Sequence, residues 1–252
     1  MKKLAVILFL MAFCGISAAS VSAAGINSKT KKVLMVVTNR DHFDNGRKTG
    51  IWMEEYAVPY TNFLAAGYEV TVASPNGGKA PIDPGSIKDG IPAEWAGANE
   101  ALQTTAVLSH VNYKTYDAVV IPGGHGPLFD LVKDQDLAKI LTYFNENNRI
   151  IAAVCHGTAA LVSAKMPGGN VPNVPLVYGR KLTGFTNDEE VIAGSDKMVP
   201  FAVETKLKEL GAEFSKKKPW SDYIVVDKNL ITGQNPQSSK SLAQAVVAAL
   251  NK

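Results

Sequence analysis

Cys155 stands in Ala153-Val154-Cys155-His156-Gly157, where an apolar run ends and a helix-forming stretch begins. Small residues two positions either side of a nucleophile suit the sharp strand-to-helix turn known as a nucleophile elbow. Such a turn lifts the side chain out of the sheet and sets the positive N-terminus of the next helix beneath it. That field favours a thiolate and predicts a thiol pKa below that of free cysteine. A lone cysteine at a strand end is more commonly a buried, inert thiol. Here the flanking Ala153 and Gly157 and the adjacent His156 point to a nucleophile instead. A second loop, Gly123-Gly124-His125-Gly126, follows another apolar run. Glycines let backbone N–H groups approach a substrate, so Gly124 pairs with the His156 amide as a candidate oxyanion hole. Gly123 belongs to the same cradle, and His125 either shapes the pocket or caps a turn.

Two groups of acids stand near these loops in the order of elements. Glu54 and Glu55 open a helix, where acids ordinarily complement the dipole. Asp188, Glu189 and Glu190 follow Gly184-Phe185-Thr186-Asn187 and read equally as a solvated charge run. Spacing alone assigns neither group.

The elements that must carry these residues alternate. Lys32–Thr38 is an apolar strand, followed by a helix over about Glu55–Ala66 that stops at Gly67. Tyr68–Ser74 is a second strand, and residues 75–110 form long connections with one short helix. Asp117–Ile121 is a strand, and a helix carrying Leu131, Val132, Leu137, Ile140, Leu141 and Phe144 leads to the strand Ile150–Val154. A short helix over Thr158–Ala164, a hairpin around Val177–Phe185 and a helix near Pro200–Leu210 come next. Asp222–Val226 and Leu230–Thr232 make further strand, and Ser238–Leu250 is the closing helix. Strands apolar on both faces, alternating with helices, predict one α/β domain with a doubly wound, flavodoxin-like, mostly parallel sheet. Ligands bind such sheets beyond the carboxyl ends of the strands, where both loops fall.

The chain of 252 residues is 46% hydrophobic and 19% charged, a globular composition. Its start differs in kind. Lys2 and Lys3, an apolar run from Leu4 to Phe13 and small residues up to Ala24 make a secretory signal peptide over residues 1–23, with a periplasmic or secreted mature domain over 24–252. The run is shorter than the roughly 20 residues a membrane span needs, so no membrane partner remains after cleavage. Removing Cys14 with the signal leaves Cys155 as the single thiol, unusual where thiols are oxidised. The mature chain keeps 24 basic and 23 acidic residues, and that near-neutral balance gives no reason to expect nucleic acid. His42, Asp44 and His110 lack metal-ligand spacing, and no phosphate-binding or dinucleotide fingerprint occurs, so neither a metal nor a cofactor is expected.

TGIWMEEYAVPY, IPGGHG, AVCHG, LTGFTNDEE and LITGQNP, in that order along the chain, resemble the PfpI superfamily with its class I glutamine-amidotransferase-like fold. The branch most resembled is that of the glutathione-independent glyoxalase III and heat-shock-chaperone-like proteins. The resemblance runs from about Lys31 to the C-terminus. It implies Cys155 as nucleophile, His156 as its neighbour, and Glu55 as the acid/base that bonds the sulfur. It also implies Glu190, with Glu189 as the alternative, as the acid that orients the histidine, and Gly124 and His156 as oxyanion donors. The activity implied is a cofactor-free glyoxalase III-type lyase, or D-lactate dehydratase, that turns 2-oxoaldehydes, chiefly methylglyoxal, into lactate. A homodimer is compatible with it. A holding chaperone or redox-responsive stress protein, a cysteine peptidase or amidase, and a protein deglycase stand as alternatives. Glutamine amidotransfer does not fit, because no histidine other than His156 follows Cys155.

Overall fold

Apolar side chains on both faces of a strand require cover on both faces, and the chain supplies it with helices on either side of one sheet. The computed structural model describes residues 30–168 and 171–252; the export segment read at residues 1–23 lies outside them. The strands are β1 (Lys32–Val36), β2 (Glu69–Ser74), β3 (Ala106–Val107), β4 (Ala118–Ile121), β5 (Ile150–Val154), β6 (Lys165–Gly168), β7 (Val171–Pro175), β8 (Lys181–Leu182), β9 (Glu213–Phe214), β10 (Ile224–Asp227) and β11 (Leu230–Gly233). The α-helices are α1 (Met53–Ala65), α2 (Ala96–Ala101), α3 (Gln135–Glu146), α4 (Asn187–Ile192), α5 (Val203–Glu209) and α6 (Ser239–Leu250).

Seven strands form the main sheet in the order β10-β11-β5-β4-β1-β2-β3, parallel except for β10. Alternate residues of the central strands enter opposite cores, as the two-residue period of a strand requires. Val33, Met35, Ala118, Val120, Ala152 and Val154 pack toward α1 and α6. Leu34, Val36, Val119, Ile121, Ile151 and Ala153 pack toward α3 and the segment after β5.

Several sequence expectations shift. The short helix after Cys155 is a 3₁₀ segment spanning Cys155–Ser163, tighter than an α-helix and starting at the nucleophile itself. The hairpin is not at Val177–Phe185 but upstream, as the antiparallel pair β6 and β7. The region around Val177 turns instead, and β8 pairs in parallel with β9. Arg180 anchors the chain between that turn and β8: its guanidinium holds the Asp227 carboxylate at 2.7 Å and bonds Asn145 and Asn229. α3 begins only at Gln135, because the Asp134 side chain caps it, while Leu131 and Val132 belong to a separate 3₁₀ turn.

Register delivers the site. Ile121 pairs with Ala153 and Val154 with Gly233, so β4, β5 and β11 end together. The Trp52 amide donates to the Gly123 carbonyl at 3.1 Å, which ties the start of α1 to the loop after β4.

Candidate active site

Cys155 adopts φ +56°, a left-handed conformation that side chains other than glycine rarely take. The surroundings hold it there. The Cys155 carbonyl accepts from Thr158 Oγ1 at 2.7 Å and from the Phe185 amide at 3.4 Å. Gly157 packs so close to the β4 loop that a Cβ would stand 2.4 Å from the Ile121 carbonyl oxygen. The elbow therefore needs a glycine two residues after the nucleophile, as the sequence shows.

His156 Nδ1 lies 3.3 Å from Cys155 Sγ and its Nε2 lies 2.9 Å from Glu190 Oε2. A carboxylate only accepts, so Nε2 carries the ring proton and Nδ1 is left to accept from the thiol. Glu190 is only 2% exposed. Ser195 Oγ donates to its other oxygen, Oε1, and His125 Nε2 approaches that same atom at 3.4 Å. Burial would raise the Glu190 pKa, but the charge of His156, the approach of His125 and the bonds from His156 and Ser195 together hold it well below the ordinary carboxylate range. His125 also stacks on His156 with ring centroids 4.2 Å apart, and burial, helped by the charge of His156, lowers its own pKa.

Glu189 has another task. It completes a capping box with Thr186, and its carboxylate accepts from Thr186 Oγ1 (2.8 Å), the Trp220 amide (2.8 Å), Gln234 Nε2 (3.0 Å) and Asn235 Nδ2 (2.7 Å). Of the two acids only Glu190 meets the histidine. Thr186-Asn187-Asp188-Glu189 is a capping-box pattern, a signal in the sequence that separates the pair. Ser195 left no comparable signal, since only the fold brings it back to Glu190.

Glu55 closes the opposite side of the sulfur. It is 0% exposed, and neither carboxyl oxygen makes a hydrogen bond of good geometry among the described residues. Burial pushes its pKa well up, against the opposing effects of the Cys155 thiol and the Gly123 amide. The same closure overturns the expected acidic shift of Cys155. Burial and the neighbouring Glu55 push the thiol up, and only the His156 backbone N–H pulls the other way. Two groups that both resist charge in one dry space are coupled, each making ionisation of the other less favourable. Gly123 lets them meet: a Cβ there would lie 2.3 Å from Glu55 Oε2 and 2.8 Å from Cys155 Cβ.

The resulting chamber has a volume of about 60 Å³ and is walled by Trp52, Phe185, Trp220 and Pro236, with Gly124 and His156 at its lining. The Gly124 N–H donates to no backbone carbonyl among the described residues. His125, His156 and Glu190 also place one ligand atom each within 4.8 Å of one another. A cation held there would compete for the His156–Glu190 bond.

The DJ-1/PfpI family profile matches residues 49–249. The chain belongs to the DJ-1/PfpI family. Within that family it is similar to Glyoxalase 3 of Candida albicans, with 31% identity over 86% of this chain and 98% of that protein. It is likewise similar to the glutathione-independent glyoxalase HSP31 of Saccharomyces cerevisiae, at 32% over 87% of this chain and 98% of that one. A crystal structure of glyoxalase III from Candida albicans superposes with a TM-score of 0.72 at 30% identity, covering 87% of this chain and 97% of the other. The mostly parallel sheet flanked by helices is thus that of the DJ-1/PfpI fold.

Proposed function

We propose that this DJ-1/PfpI protein is a glutathione-independent glyoxalase of the D-lactate dehydratase type, converting small 2-oxoaldehydes, chiefly methylglyoxal, into lactate. The observation that carries the reading is the buried Glu55 and the His156–Glu190 pair on either side of one thiol, in a chamber of about 60 Å³. A water needs roughly 10–15 Å³ of such space, so the chamber suits about four or five heavy atoms. Methylglyoxal has that many, and the similarity to glyoxalases over most of the chain agrees with it.

Cys155 Sγ adds to the aldehyde carbon while His156 Nδ1 takes the thiol proton, giving a hemithioacetal. The Gly124 and His156 amides stabilise its oxyanion. The aldehyde-derived C–H proton is removed and a proton is returned to the neighbouring carbon through an enediol-like species, with Glu55 and His156 moving it. The product of that shift is a thioester, and water releases lactate and the thiol. Substrate carbon is oxidised at one position and reduced at the next, so the reaction needs no external oxidant. Glu190 holds His156 with Nδ1 toward sulfur throughout.

The space at the thiol itself disfavours peptide hydrolysis, because about 60 Å³ does not hold a peptide bond flanked by chain on both sides. The test is glutathione-free turnover of methylglyoxal by the mature protein with lactate measured directly. Cys155→Ala should abolish it, and wild-type protein that makes no lactate refutes the reading. We also infer export to the periplasm or medium, from the charged, apolar and small-residue succession over residues 1–23. Intact mass of exported protein should begin at Ala24 or Gly25, and retention of residues 1–23 would refute it.

A further inference from the structure

The chamber does not end the site. A second cavity of about 630 Å³ adjoins it and shares Trp52, His125, Ala193 and Trp220 with its walls. The outer space is roughly ten times larger than methylglyoxal requires. It also differs in charge. Arg47, Lys48 and Lys88 line it, against Asp83 as its one carboxylate. Asp83 is already engaged, accepting from Thr49 Oγ1 at 2.8 Å and the Gly85 amide at 2.7 Å. Lys48 is paired with Asp41 at 2.7 Å. Arg47 and Lys88 enter no ion pair among the described residues.

The backbone that carries Arg47 is held in place, while its side chain is exposed. Its loop is closed by the His42–Lys48 bridge, by Phe43 N–H donating to the Arg47 carbonyl at 2.8 Å, and by the Arg47 amide on Asn45 Oδ1 at 3.0 Å. The guanidinium reaches toward the far wall, with Nη1 3.7 Å from Met198 Sδ. Lys88 ends the 3₁₀ turn Pro84–Ile87 of another loop in the same cavity. Two unpaired cations from separate loops, above an apolar floor of tryptophan, fit a ligand with an aromatic or aliphatic body and an anionic end.

We propose that the outer cleft binds an anionic group of the substrate, so that preferred 2-oxoaldehydes carry a carboxylate or phosphate beyond the dicarbonyl. The proposal rests on the glyoxalase reading for the chemistry and on Arg47 and Lys88 for the anion. The dicarbonyl enters the inner chamber, the body lies against Trp52 and Trp220, and the anion meets the two cations.

The experiment compares phenylglyoxal with its para-carboxylate and para-phosphate derivatives, with methylglyoxal run alongside. At low salt, kcat/KM for an anionic derivative should exceed that for phenylglyoxal roughly fivefold to tenfold, mostly through KM. High salt should bring the values together, since the cations are exposed. Arg47→Gln with Lys88→Gln should abolish the preference while methylglyoxal turnover stays unchanged. Whichever anion gains more identifies the group recognised. Equal rates for neutral and anionic derivatives, or a preference that survives both substitutions, overturns the proposal. A binding arm separates this from failure of the glyoxalase reading: tryptophan fluorescence titrated with 4-acetylbenzoate and with acetophenone, neither of which is a 2-oxoaldehyde. Tighter binding of the carboxylate, lost in the double variant, supports the anion site even if no aldehyde turns over; equal binding removes it.

Discussion

Replacing Glu55 by glutamine keeps the shape and polarity of the side chain and removes one exchangeable proton. The structure allows two consequences to be separated. Loss of a positioned acid/base costs about a hundredfold to ten-thousandfold in rate. At 1.36 kcal/mol per decade that is about 2.7–5.5 kcal/mol of barrier. Stability should move the other way. Burial raises the Glu55 pKa in the folded protein. Its stabilising contribution is therefore complete below the unfolded value of about 4.3, and declines as pH rises toward the folded one. Glutamine has no such titration. The melting temperature of Glu55→Gln should gain on wild type as pH rises above the unfolded value of about 4.3 and level off once the folded carboxyl has ionised. Glu54, one residue earlier on α1, is only half buried and is absent from the chamber lining. About 100° of helical rotation separates the two side chains, which makes Glu54→Gln the control. Methylglyoxal turnover and thermal melts of the three proteins across pH are the assay. A Glu55→Gln variant with wild-type turnover and a pH-independent melting difference refutes the reasoning. Equal loss in both variants with lowered melting temperatures would mean that the acids only support the start of α1.

Gly123→Ala should fold but lose most turnover, because its Cβ would displace Glu55 and Cys155; circular dichroism and kcat on the same sample check this, and a destabilisation of about 1–3 kcal/mol is expected. Ser195→Ala removes a donor that lowers the Glu190 pKa, so Glu190 protonates at a higher pH and the acid limb of the kcat/KM profile moves to higher pH. An acid limb that stays in place would free Ser195 of any positioning role. Glu189→Gln should cost about 2–4 kcal/mol in denaturant unfolding through its lost charged hydrogen bonds, yet leave kcat per folded molecule far closer to wild type than Glu190→Gln does.

Much of this arrangement is legible from residue types. β5 runs over Ile150–Val154 as expected, and β1 and β4 stand within two residues of their expected ends, because strands covered on both faces are unbroken apolar runs. The start of α1 is less legible: Trp52 provides no side-chain cap, so nothing marks Met53 as the first residue. β3, β8 and β9 are two residues each, too short for any periodicity. Within the site, the elbow follows from Ala153, Cys155 and Gly157 alone. The direction of the thiol pKa does not, because a helix N-terminus can be inferred locally whereas the burial of Cys155 beside Glu55 is created by the meeting of α1, the β4 loop and β5. Glu190 falls between these cases. The capping pattern at Thr186 accounts for Glu189, but the bond from Glu190 to His156 spans 34 residues of chain.

The backbone at Cys155 sets a limit on what selection can do with this position. At φ +56° a glycine would sit without strain, and any other residue weakens the native state to some degree. The nucleophile and the backbone that carries it are therefore in conflict at this one position. A lineage released from the chemistry of the thiol would be free to relieve that backbone with glycine, at the cost of the packing the cysteine supplies in the core.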